Sequence, residues 1–223
     1  MAAKTTVEAP GARRLALEGG LQSLAQGLGE AYLGAYALLL GAGGLSLGLV
    51  ATLPTAATSA AQILARRALA RAGGARRLLA RAWSAQALGY LALGLCLLAP
   101  YPWSVASLIV VALFAWGCGG LGVPAWTSLV SVLVPRARHG WFFGLRGAAQ
   151  ACGVLTAILS GGALLSFLTG RGREALGFVL IFGCAAMGRM LSAALLARLP
   201  DPVRIHPERA RPLDLKPVRV SRK

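Results

Sequence analysis

From Ala82 to Val134 the chain carries no Asp, Glu, Lys or Arg, a run of 53 residues. A bilayer core takes about 20 apolar residues of helix, so the run fits two spans joined by a short turn. Soluble domains of this size carry about 25% charged residues, spread along the chain. Here 13% of 223 residues are charged and 57% are hydrophobic. Hydropathy predicts six transmembrane segments, at roughly 15–40, 45–65, 82–99, 104–134, 147–169 and 175–198. The expected class is all-α: a polytopic membrane protein with a six-helix domain over 15–200. An N-terminal tail (1–14) and a basic, proline-containing tail (201–223) flank it. The fourth segment is long enough to project from the bilayer or kink at Pro124, where GCGGLGVP concentrates helix-loosening residues. The opening residues, MAAKTTVEAPGARR, are polar and precede a segment too long for a signal-peptide core, so no cleaved leader is expected.

The basic residues orient these segments. Lys4, Arg13 and Arg14 precede the first; Arg66, Arg67, Arg71, Arg76, Arg77 and Arg81 follow the second; Arg136, Arg138 and Arg146 follow the fourth; eight more lie from Arg198 onward. The opposite side has two, Arg171 and Arg173. Twenty against two is a strong positive-inside bias, which puts both termini in the cytoplasm of a cytoplasmic (inner) membrane. The net charge of +16 is therefore read as topology, and no nucleic-acid partner is expected, because no basic patch sits on a recognisable soluble module.

Chemistry-bearing residues are few. Cys96, Cys118, Cys152 and Cys184 lie in apolar segments without a CxxC pair and read as buried free thiols. His139 and His206 have no partner at metal-ligand spacing, there is no HExxH, and neither histidine is placed to activate an intramembrane serine. Neither enzyme activity nor a metal or other cofactor is expected.

The first segment is unusual. In LEGGLQSLAQGLGEAYLGAY, Glu18, Gln22, Gln26 and Glu30 recur every fourth residue and share a helix face. A charge at the centre of a spanning helix costs roughly 2.5–3.5 kcal/mol, so such a face belongs against water or protein rather than lipid. Glu30, about sixteen residues into the segment, is the principal candidate for a proton or substrate pathway, with Gln26 and Gln22 beside it. An ion pair with Arg189 of the sixth segment is its alternative role. Glu18, near Arg13 and Arg14, reads as an interfacial charge. Thr52, Thr55, Ser59 and Gln62 share a face of the second segment and can bond a substrate or, more ordinarily, their own helix. Pro54 suggests a bend there. Trp116, Trp126 and Tyr36 can wall a cavity, though packing is the better reading for each; Trp83, Trp103 and Trp141 read as interfacial. Gly20, Gly27, Gly34 and Gly41 form a stripe suited to close helix packing.

Several stretches resemble the N-terminal half of a major facilitator superfamily transporter. LVATLPTAATSAAQILARRALARAGGARRLL resembles helix 2 and the loop after it, where RALARAGGARR matches the family's G-x-L-A-D-R-x-G-R-K/R at Arg71 and Gly73, with Arg76 and Arg77 as the trailing basic pair. GVPAWTSLVSVLVPRARHGWFFGLRGAAQ resembles the end of helix 4 and the start of helix 5, and LLARLPDP the exit from helix 6. The resemblance covers about residues 15–202 and implies two inverted three-helix repeats, with Arg71, Gly73, Arg76 and Arg77 in a conformational-switch loop. Ala70 stands where the motif has Asp, the fourth segment lacks the helix 4 arginine, and the fifth lacks the antiporter Gly-Pro pair.

The resemblance also implies a secondary transporter, or half of one, moving a small solute across the lipid bilayer by alternating access, with proton coupling through Glu30. Because it covers one of the family's two halves, the chain is expected to be a fragment, a half that pairs with a second half as a homodimer or with a separate chain, or a six-span relic with another job. The alternative is a non-transporting six-helix subunit or scaffold of a membrane complex, whose basic tail docks an acidic partner or anionic lipid at about 1 kcal/mol per basic residue.

Overall fold

The computed structural model describes residues 10–198, all-helical apart from short connections. The elements are α1 (Pro10–Ala31), α2 (Leu33–Leu39), α3 (Gly44–Ala72), α4 (Ala75–Leu95), α5 (Trp103–Leu133), α6 (His139–Thr169) and α7 (Glu174–Ala197), with 3₁₀ turns at Cys96–Leu98 and Arg136–Arg138. Four helices are long and apolar enough to cross a membrane: α3, α5, α6 and α7. This is a membrane protein. The other two long segments are less apolar for identifiable reasons. Helix α1 carries Glu18, Glu30 and their amides and is interrupted at Tyr32 before α2, while α4 has 21 residues and begins with Arg76, Arg77 and Arg81.

The helices outrun the apolar segments that announce them. Helix α1 starts at Pro10, inside the expected tail; α3 continues past residue 65 to Ala72; α4 starts seven residues before 82, and α6 eight before 147. Arginine and alanine are good helix formers, so hydropathy marks the apolar stretch and not the hydrogen-bonded ends. Helix α5 runs unbroken through Pro124 for 31 residues, about 46 Å, longer than a bilayer core of about 30 Å. The tail from 201 to 223 lies outside the described residues.

Packing repeats in a pattern. Helix α3 lies along α5 and α6 along α1; α4 packs on α5 and α7 on α1; α4 and α7 pack on each other. Exchanging α1, α3 and α4 for α5, α6 and α7 leaves these main pairings unchanged. Helices α3 and α6 bury much less of themselves than α5 and α7, and so form the open flanks.

Two apolar clusters fill the bundle. One gathers Tyr36, Leu93, Leu108, Phe178 and Phe182, with Tyr36 ring to ring against both phenylalanines. The other gathers Leu79, Trp83, Leu129, Phe142 and Leu196. On every central helix a polar or glycine-rich stretch separates the two: Gln86 between Trp83 and Tyr90, Arg189 between Ala186 and Ala193, and Gly119 and Gly120 between Trp116 and Ala125. The bundle is thus apolar at both ends and polar at mid-height.

The expected glycine stripe does not hold as one. Gly27 does face α6, where a methyl group would overlap Ala157, but Gly20 meets nothing, Gly34 barely touches Leu47, and Gly41 serves the turn before α3. Tighter approaches come elsewhere, among them Gly120 against the Thr58 backbone, Gly122 against Trp83 and Gly153 against Ser23.

Candidate functional site

The acid-and-amide ladder of α1 divides into two functions. Glu18, expected at the interface, is 0% exposed. Its Oε2 accepts from Arg146 Nη1 at 3.0 Å and its Oε1 from the Ser192 hydroxyl at 3.1 Å. Arg146 also donates to the Leu15 carbonyl and, at 2.7 Å, to Gln22 Oε1, and its guanidinium stacks 4.1 Å from the Trp126 ring. This network ties α1, α6 and α7 together. Arg146, counted above among connecting cations, sits inside α6 and is buried. The reason lies in the packing of α1 along α6, which brings together two charges 128 residues apart in sequence.

Twelve residues after Glu18, about 18 Å along the helix, Glu30 has a different environment. It is exposed within the bundle's open face and accepts from Gln26 Nε2 at 3.1 Å, one turn back. The suggested Glu30–Arg189 ion pair does not form among the described residues. Arg189 donates through Nε to Gln86 Oε1 at 2.6 Å and lies 4.0 Å over the ring of Trp83. Gln86 in turn donates to the Tyr90 hydroxyl, and Tyr90 meets Trp116 edge-on. Trp83, expected at an interface, is 2% exposed and forms the floor under this cation, whereas Trp103 and Trp141 are 66% and 67% exposed.

Two joined spaces open on Glu30. A chamber of about 110 Å³ at mid-height is lined by Gln22, Gln26, Glu30, Gln86, Tyr90 and Arg189 among others. A wider cavity of about 720 Å³ lies between α1, α2, α3 and α5, lined by Glu30, Thr55, Thr58 and Trp116 and by an apolar wall that includes Leu33, Leu47, Val50 and Pro54. Glu30, Thr58 and Trp116 border both. A third space of about 260 Å³ lies beside Arg146, Trp126 and Gln22.

The threonine face of α3 is only partly functional in this sense. Thr55 lines the wider cavity, but Thr52 and Ser59 bond back to the carbonyls of Gly48 and Thr55, and Ser59 and Gln62 lie exposed outside the cavity walls. Thr58, off that face, is the residue that matters: its hydroxyl bonds the Pro54 and Trp116 carbonyls and joins α3 to α5. Among the aromatics, Tyr36 is packing, donating to the Leu93 carbonyl at 2.8 Å. In the loop after α3, Arg71 closes the last helical turn, Gly73 caps it in the left-handed region at φ +69°, and Arg76 and Arg77 open α4. These four residues stand together at one end of the bundle, away from Glu30. All four cysteines are free; Cys96 is buried, while Cys152 and Cys184 are exposed rather than buried as expected.

No metal-ligating cluster occurs among the described residues. No family model matches the chain, and neither a curated protein nor a solved structure does.

Proposed function

We propose that the chain forms one half of a major-facilitator-like secondary transporter in the cytoplasmic membrane, with α1–α2, α3, α4, α5, α6 and α7 as its six spans and both termini cytoplasmic. The observation that carries this reading is the open cavity with Glu30 at its polar end. An exposed carboxylate in a bundle this apolar needs water or protein opposite it, and a second half would enclose the cavity while leaving a path for solute and proton. The exchangeable pairing of the first and last three long helices supports the reading: an odd number of spans per repeat inverts the second repeat in the bilayer. The open flanks α3 and α6 are the surfaces left for the other half.

The test is the native mass and composition of the protein extracted gently from its own membrane, followed by solute-coupled proton movement in proteoliposomes. The expected outcome is a particle with two six-helix bodies, and coupling at least tenfold weaker in Glu30→Gln. A lone six-helix monomer refutes the half-transporter; an unrelated large complex establishes the scaffold instead.

A further inference from the structure

We infer that the mid-height chamber receives the charged headgroup of a small zwitterion, a carboxylate beside an ammonium, and that the wider cavity receives its apolar remainder. The inference rests on the transport reading and names the class of solute for the same site.

The two buried arginines show why. Arg146 has a carboxylate, an amide, a carbonyl and a ring around it, so its charge is answered from within the bundle. Arg189, 5% exposed, has an amide oxygen and a ring face but no carboxylate in ion-pair contact, the nearby Glu18 being held by Arg146 and Ser192, and its Nη1 has no hydrogen-bond partner among the described residues. A guanidinium cannot shed its proton to escape that position. It is planar, rigidly held by Trp83 and Gln86, and matched in charge and geometry to a carboxylate from outside.

Glu30 supplies the complementary half. It lines the same chamber, and Gln26 and Trp116 take only part of its accepting capacity, which leaves oxygen lone pairs for an ammonium. A purely cationic solute would leave the Arg189 guanidinium without a carboxylate, and a purely anionic one would set its charge near Glu30. Only a solute with both signs satisfies both walls, and the mismatches supply the discrimination.

Size and polarity agree. About 110 Å³ holds a few waters or one headgroup, and Gly119 and Gly120 put no side chain into it. The wider cavity offers Leu33, Leu38, Leu47, Val50 and Pro54 against two threonines, so it suits an aliphatic or aromatic side chain better than a sugar.

The test uses the full chain, with any partner that copurifies, in lipid nanodiscs and four probes of nearly equal shape: leucine, leucinamide, 4-methylpentanoate and 4-methylpentanamide. Leucine is expected to bind at least tenfold more tightly than the other three. Arg189→Lys keeps the charge needed for folding but loses the planar fork; it is expected to weaken leucine and 4-methylpentanoate at least tenfold and to leave leucinamide within twofold. Glu30→Gln is expected to do the reverse, weakening leucine and leucinamide. The inference is overturned if wild-type protein binds none of the probes, if leucinamide or 4-methylpentanoate equals leucine, or if Arg189→Lys changes all probes alike. Uptake into proteoliposomes separates this from the transport reading. Leucine binding without uptake of any solute keeps the headgroup site and removes transport. Uptake of glucose or choline by a protein that does not bind leucine keeps transport and removes the zwitterion.

Discussion

Replacing Glu18 by leucine tests whether the ladder's first acid is structural. The side chain is fully enclosed and shares its two oxygens between Arg146 and Ser192, so its loss strands a buried guanidinium. Breaking one partner out of a buried ion pair costs about 3–5 kcal/mol. Arg146 keeps Gln22, the Leu15 carbonyl and the Trp126 face, which puts the expected loss at the lower end, about 3 kcal/mol. For a chain of this length that is a fall in Tm of roughly 6–12 °C. Glu18→Gln, which keeps a carbonyl oxygen for Arg146, should lose less. The decisive variant is Glu18→Leu with Arg146→Met, because an apolar replacement of a buried pair is often neutral or stabilising. The double variant should therefore be more stable than either single one, in a non-additive cycle read by thermal or SDS unfolding in mixed micelles. If Glu18→Leu stays within about 0.5 kcal/mol of wild type, as a surface substitution would, the charge lies at the interface and the buried network is refuted. Additive losses would also refute it.

Two further predictions concern the backbone. A methyl group at Gly120 would overlap the Thr58 backbone, so Gly120→Ala should cost about 1–3 kcal/mol by forcing α3 from α5, while Gly117→Ala on the same helix meets nothing and should be neutral or slightly stabilising; unfolding midpoints of the pair check this. Gly73 ends α3 at φ +69°, where a β-branched side chain is strained, so Gly73→Val should cost about 1–2 kcal/mol in the same assay, with only the flexible end of the Arg77 side chain needing to shift.

Much of the fold was legible because apolar length is a direct physical requirement of a membrane core. The charge-free run from Ala82 to Val134 does contain most of α4 and α5, and all six expected segments overlap long helices or, for the first, the α1–α2 pair. The ends were not legible, since Arg66, Arg67 and Arg71 continue α3 as helix after hydropathy has fallen. The period-four reading of α1 puts Glu18, Gln22, Gln26 and Glu30 on one face, and the last three of them line one chamber. It misjudged the depth of Glu18 because Arg13 and Arg14 are its neighbours in sequence, while Arg146 and Ser192 are its neighbours in space. A signal for the partner was present: Arg146 is a lone cation followed by a long apolar stretch, and a lone cation there calls for an acid. Gln86, isolated in the charge-free run, was a similar signal for Arg189. Thr58 had none, because what singles it out is the approach of Gly120, a tertiary fact.

The division of the ladder explains how so apolar a helix carries four polar groups. Glu18 and Gln22 are both taken by Arg146, and removing their charge and acceptor would leave that cation only the Leu15 carbonyl and the Trp126 face. Gln26 bonds Glu30 one helical turn on, and the Trp116 indole of α5 also stands beside the Glu30 carboxylate. These contacts leave the Glu30 carboxylate on the cavity wall without an ion-pair partner among the described residues, a position that calls for water or protein opposite it. The same holds for Arg189, whose immediate neighbours answer it only in part. Stability therefore resides in the Glu18–Arg146 end of the polar layer, where every charge is matched. Glu30 and Arg189, which have no ion-pair partner among the described residues, border one small chamber, and the proposed solute and covering half are the groups that would answer them there.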